Sequence, residues 1–96
     1  MAELRIVSSG QHPLKPLVEA ALVNELRLLE VAIRRGEERL KEYEKKNGMP
    51  TDQFVDRFER DEFEETLERA EWIGEYRLVK RLREKAETLR GVQFAG

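Results

Sequence analysis

A run of residues spaced four and three apart, Leu22, Leu26, Leu29, Ile33, Gly36, Leu40 and Tyr43, restricts the first half of this chain to one kind of structure. That spacing keeps one narrow face turned toward a partner helix over three heptads, which a strand or loop cannot do. Off the seam the residues are mostly charged. Glu30 with Arg34, Glu37 with Lys41 and Glu42 with Lys46 are i,i+4 pairs in the favoured orientation, each worth only a few tenths of a kcal/mol. The seam must therefore supply most of the stability. Pro13 and Pro16 stand where a helix can begin but not continue, and Asn47-Gly48 is a stop, with Gly48 free to turn left-handed. The spacing predicts one helix from Leu14 to Asn47.

A second stripe, Val18, Ala21, Leu28 and Ala32, lies beside the seam in the first half of this helix; further on, the matching positions hold Arg35, Arg39 and Lys46. The stripe is either the thick end of a core helix or a dimer interface around Leu28 and Ala32. A helix from Leu17 to Asn47 would be roughly 46 Å long, against roughly 32 Å for a compact chain of this length. An elongated hairpin buries little surface, and dimerisation is the usual remedy.

After Gly48, Met49-Pro50-Thr51-Asp52 reads as a new helix start with Thr51 as a cap, and Phe54, Val55 and Phe58 share one face of a short helix reaching about Arg60. An acidic run follows, with Asp61, Glu62, Glu64, Glu65 and Glu68. The last helix is predicted from about Glu64 to Arg90, with the seam Leu67, Ala70, Gly74, Leu78, Leu82, Ala86 and Leu89. Folding the two long helices antiparallel sets Leu40 opposite Ala70, Gly36 opposite Gly74 and Ile33 opposite Leu78. Trp72, Tyr76 and Val79 fall off that seam, either folded onto their own helix and the short one or presented to a partner. The expected fold is all-α: an antiparallel hairpin of two long helices with a short helix between them, dimerising into a four-helix bundle. Residues 14–91 form the hairpin domain. Residues 1–13 are an N-terminal arm, disordered or holding one short strand that would pair with another chain or lie along the helices. Residues 92–96 are a tail without pattern.

Charged residues make up 40% of the chain, which suits a solvated helical bundle and points to a thermophilic source. The net charge of −2 gives no general drive toward nucleic acid or membrane. Locally the charge is uneven: residues 51–75 carry ten acids and three bases, and residues 76–96 carry six bases and two acids. An acidic middle segment suits a basic partner protein, or is an ordinary solvated face. The absence of cysteine removes thiol chemistry, and no stretch approaches a membrane span, so a cytoplasmic location is expected.

The stretch Lys46-Asn47-Gly48-Met49-Pro50-Thr51-Asp52-Gln53-Phe54 through Phe58, then the acidic run, then Glu71-Trp72-Ile73-Gly74, resembles a family of small prokaryotic proteins that look like antitoxins of type II toxin–antitoxin pairs. Members follow a long charged helix with a Tyr-Gly-Met-Ser/Thr turn, a short helix bearing phenylalanines, an acidic linker and a Glu-Trp-Trp-Gly segment. The likeness covers roughly residues 24–90. Ile73 stands where the second tryptophan would be, the linker is Arg60-Asp61-Glu62-Phe63-Glu64, and the arm through Pro13 has no counterpart. The resemblance implies a non-catalytic homodimer that neutralises a small basic toxin, encoded by an adjacent gene, by binding it. The partner surface expected from the residues is Phe54, Phe58, Trp72 and Tyr76, rimmed by acids including Glu64 and Glu65.

Chemistry offers little else. The lone histidine, His12, sits in a Gly/Pro-rich loop and reads as a solvated loop residue, and with no cysteine and a single histidine the chain is poorly equipped for zinc-type ligation. No catalytic group, cofactor or metal is expected. Glu64, Glu65, Glu68, Glu71 and Glu75 imitate the acidic helix of a magnesium-dependent all-α nucleotide pyrophosphatase, but one helix supplies all five. The bases Lys80, Arg81, Arg83, Lys85 and Arg90 spread round their helix, so DNA binding by the chain alone is not expected. The alternative to an antitoxin is a structural or adaptor coiled-coil dimer without a toxin partner.

Overall fold

The computed structural model describes residues 2–5 and 14–95, with side chains described from Leu14 to Val92. His12 and the rest of residues 8–13 lie outside the described residues. Three helices, α1 (Leu14–Asn47), α2 (Thr51–Glu59) and α3 (Leu67–Arg90), are flanked by two short strands, β1 (Ala2–Arg5) and β2 (Val92–Ala95). The fold is the all-α hairpin, with α1 and α3 packed along one another and α2 in the connection.

The helix ends follow from their residues. Gly48 takes a φ of 63° and stops α1 in the left-handed region that glycine enters freely. At α2 the cap differs from expectation. Pro50 occupies the cap position without a side-chain bond, and the Thr51 backbone N–H donates to Glu44 Oε2 of α1 at 2.8 Å. α3 begins later than the acidic run suggested, because Thr66 caps it: its hydroxyl accepts from the Arg69 N–H at 3.2 Å.

The register corrects the sequence reading. Gly36 packs against Val79, five residues beyond the expected Gly74, and Gly74 itself is exposed with nothing near it. Leu67 is 76% exposed, and Ala70 is exposed beside it. The α3 residues that enter the core are Trp72, Ile73, Val79 and Ala86. Two stripes with helical spacing overlap in the first half of α3. Trp72 and Ile73 bury far more apolar area than Ala70 and Gly74 can, and burial area decides between them.

Ion pairs across the hairpin follow the corrected register. Arg39 meets Glu75, Lys46 meets Glu68 at 3.2 Å, Arg83 meets Glu37 at 2.5 Å, and Arg90 meets Glu30 at 3.2 Å. Glu30, Glu37 and Lys46, expected to pair within α1, reach across to α3 instead. Apart from Glu75, whose side chain is 11% exposed, the paired groups lie in solvent; such pairs add little stability each, but each disfavours a slipped register.

β1 and β2 pair in parallel, with Ala2 opposite Val92 and Arg5 opposite Ala95. A parallel pair needs a crossover connection, and here the whole hairpin supplies it. The N-terminal strand therefore pairs within its own chain, with the tail that showed no pattern in the sequence. The radius of gyration is 18.9 Å, against roughly 12.5 Å for a compact chain of this length. The extents of 60 × 22 × 18 Å describe a rod.

Candidate functional site

At the closed end of the hairpin one ring from each helix enters a single column. Trp72 of α3 stacks on Phe54 of α2 at 3.8 Å between centroids and 5° between planes, and on Tyr43 of α1 at 5.7 Å and 12°. Phe54 also meets Phe58 and Phe63, each at 5.6 Å and tilted. Phe54 and Trp72 are each 2% exposed. The buried indole N–H donates to Thr51 Oγ1 at 3.1 Å, so the ring enters the core with its polar atom satisfied. Arg57 and Arg69 place their guanidinium groups over Phe63 at 4.7 and 5.0 Å, closing the rim.

This arrangement divides the partner surface expected from the sequence. Phe54 and Trp72 are not surface anchors; they are core, and Trp72 folds onto the short helix rather than being presented to a partner. Phe58 and Tyr76 are half-buried and pack against the same cluster. Glu64 and Glu65 are exposed in the linker that follows Phe63, and neither is in an ion pair among the described residues. The rings had to be buried because α2, at nine residues, cannot hold its own shape and is stable only through what its apolar face covers.

Tyr43 is half-buried on the rim of the column. Burial raises its phenol pKa above the ordinary value of 10.0, and the carboxylates of Glu71, Glu75 and Glu68 raise it further. The folded state then holds the phenol proton more tightly than the unfolded chain. This contribution to stability is complete below about pH 10 and is lost as the pH rises through the higher folded value. Denaturant titrations on either side of pH 10 should show wild type losing more stability than Tyr43→Phe; equal losses would show that the phenol is not linked to folding.

The opposite side of the hairpin is uncovered. Leu28, Val31, Ala32, Arg35 and Arg39 of α1 face Leu78 and Leu82 of α3 across an open groove, with Gly36 and Val79 at its floor. Leu28 is 56% exposed and Leu78 is 39% exposed. Leu78 lies roughly 140° round α3 from Ile73, and Leu28 roughly 160° round α1 from Glu44, so α2 covers the far side. The sequence named Leu28 and Ala32 for this face. It missed Leu78, which the wrong register assigned to the core.

Among the described residues, no three His, Cys, Asp or Glu side chains are grouped to hold a metal ion, and no helix is long and apolar enough to cross a membrane. Glu68 and Glu75, two of the acids that imitate a magnesium-binding helix, are turned to Lys46 and Arg39. The protein is by architecture a rod-like helical hairpin closed by an aromatic column and open along one side. No protein-family model, curated protein or solved structure matches the chain.

Proposed function

We propose that this chain is a non-catalytic protein-binding module of the cytoplasm, a homodimer through Leu28 and Ala32 that acts as an antitoxin by binding a small basic toxin. The observation that carries the binding reading is the uncovered side of the hairpin. A rod this thin leaves Leu28 and Leu78 in water on one side while α2 seals the other. Single exposed leucines are ordinary on any protein, but a groove flanked by them along both helices is a surface shaped for another chain.

The toxin partner is supported by the resemblance over residues 24–90 and by the acids of residues 51–75. Of the ten acids between residues 51 and 75, Asp52, Glu59, Asp61, Glu64, Glu65 and Glu71 stand outside the ion pairs among the described residues. With Phe54 and Trp72 buried, recognition of a basic partner rests on Glu64 and Glu65 rather than on the rings. Surface charges of this kind raise the rate of encounter more than the final affinity. Co-expression with the adjacent gene product should yield a complex, and reversing the charge at Glu64 and Glu65 should slow its association with a smaller effect on dissociation. Failure to form any complex would favour the adaptor dimer without a toxin; a complex with unchanged association kinetics would remove the acids from the interface.

A further inference from the structure

Deepening the homodimer reading, on which this rests, we propose that a second copy lies antiparallel along the uncovered groove in one register, with Leu28 opposite Ala32 of the second copy and Glu25 opposite its Arg35.

The residues Ala21, Glu25, Leu28, Ala32, Arg35 and Arg39 follow a spacing of four, three, four, three and four. This is a second heptad seam on α1, beside the one that α3 covers, and four of its members line the groove. A twofold contact uses the same patch on both copies. An antiparallel pairing of this seam has its axis midway between two layers, and the axis between Leu28 and Ala32 gives a self-consistent set. The large Leu28 meets the small Ala32 twice, and Glu25 meets Arg35 twice at the flanks.

The neighbouring registers are worse. One layer toward the N-terminus sets Glu25 against Leu28 and buries a carboxylate without a partner. One layer the other way sets Glu25 against Glu42. Only the central register matches size with size and charge with opposite charge.

The charges are free to serve. Arg35 is exposed on the groove rim and has no ion pair among the described residues. Among the described residues Glu25 has one loose contact, with Lys85 at 3.6 Å, and the two side chains are 44% and 61% exposed. The self-matching of acid and base about one axis is what selects a second copy as the occupant. An unrelated partner would have no reason to find the two signs equally spaced about the Leu28–Ala32 pair, Glu25 three residues before Leu28 and Arg35 three after Ala32. Leu78 and Leu82 on the opposite wall then receive the other flank of the incoming α1, completing a four-helix bundle.

The test uses two single variants of the full chain, Glu25→Arg and Arg35→Glu, with helicity checked by circular dichroism and mass by light scattering over a range of concentrations. Wild type should weigh about twice 11.3 kDa. Each variant alone places like charges together at both flanks and should weaken the dimer at least about tenfold. Mixed in equal amounts, the two variants should restore a dimer. On one flank the two reversed side chains then meet as an oppositely charged pair, and on the other the native Glu25 and Arg35 still meet. A wild type of 11.3 kDa at every concentration would overturn the homodimer reading and this register together. A wild-type dimer whose single variants are unweakened, or which mixing does not restore, would overturn the register alone. Should either reversal lower the helicity, Glu25→Gln and Arg35→Gln replace them. Each must still weaken the dimer for the register to stand, and an unweakened dimer would overturn it. Leu28→Glu, at an exposed position, should yield a helical monomer.

Discussion

Truncating Trp72 to alanine is expected to destabilise the fold by about 3–5 kcal/mol, the usual cost of removing a buried large aromatic. A small domain has in all about 5–15 kcal/mol of stability, so the variant should lose a large share of it, with α2 detaching first. The reason is position as well as size. The indole stacks on both Phe54 and Tyr43, and it is the only ring of the three that touches the other two. Removing it separates all three helices at one point and leaves Thr51 Oγ1 without its buried donor. Trp72→Phe keeps a ring in the column but loses the N–H, and should cost less. Chemical denaturation followed by circular dichroism measures both. A Trp72→Ala protein as stable as wild type would show that the column does not hold the hairpin together.

Gly36→Ala and Gly74→Ala should act with opposite signs. A methyl group at Gly36 would overlap Val79 Cγ2, and the β-branched Val79, buried at 1% exposure, has little freedom to yield. Overpacking of this kind costs about 1–3 kcal/mol, more than the ~1 kcal/mol that alanine gains over glycine in a helix. At Gly74 nothing lies within 4 Å of the added carbon, so only the gain remains and the variant should be more stable by about 1 kcal/mol. Thermal melts of the two variants beside wild type decide this. Equal effects would mean that the glycines face each other after all.

The sequence carried the architecture well because its signals there were local. Seven residues at heptad spacing determine α1, Asn47-Gly48 ends it, and the phenylalanines of α2 share one face whatever they pack on. The register of α3 was not legible, because that is a competition between two stripes. Leu67, Ala70, Gly74 and Leu78 have the regular spacing of a seam; Trp72, Ile73 and Val79 have the greater area. Regularity is visible in a sequence, whereas the outcome depends on whether α2 brings Phe54 to meet the indole, a contact between residues 18 positions apart. One signal favoured the correct choice: a tryptophan and an isoleucine side by side are costly to leave in water. Placing Trp72 and Tyr76 off the seam led to the expectation that they bind a partner together with Phe54 and Phe58. The same error hid Leu78, which becomes an exposed groove residue only when α3 is turned. The strand pair was beyond reach, since four-residue segments at opposite ends of the chain share no period.

The corrected register is what places Trp72 in the core and leaves the groove between Leu28 and Leu78 open, so it is tested most directly by the contacts of Gly36. In a nuclear Overhauser experiment on the isotope-labelled protein, the Gly36 α-protons should show strong cross-peaks to the methyl groups of Val79, and the Trp72 ring protons should show them to Phe54 and Tyr43. Cross-peaks from Gly36 to Gly74, with none to Val79, would contradict the register and with it the uncovered face.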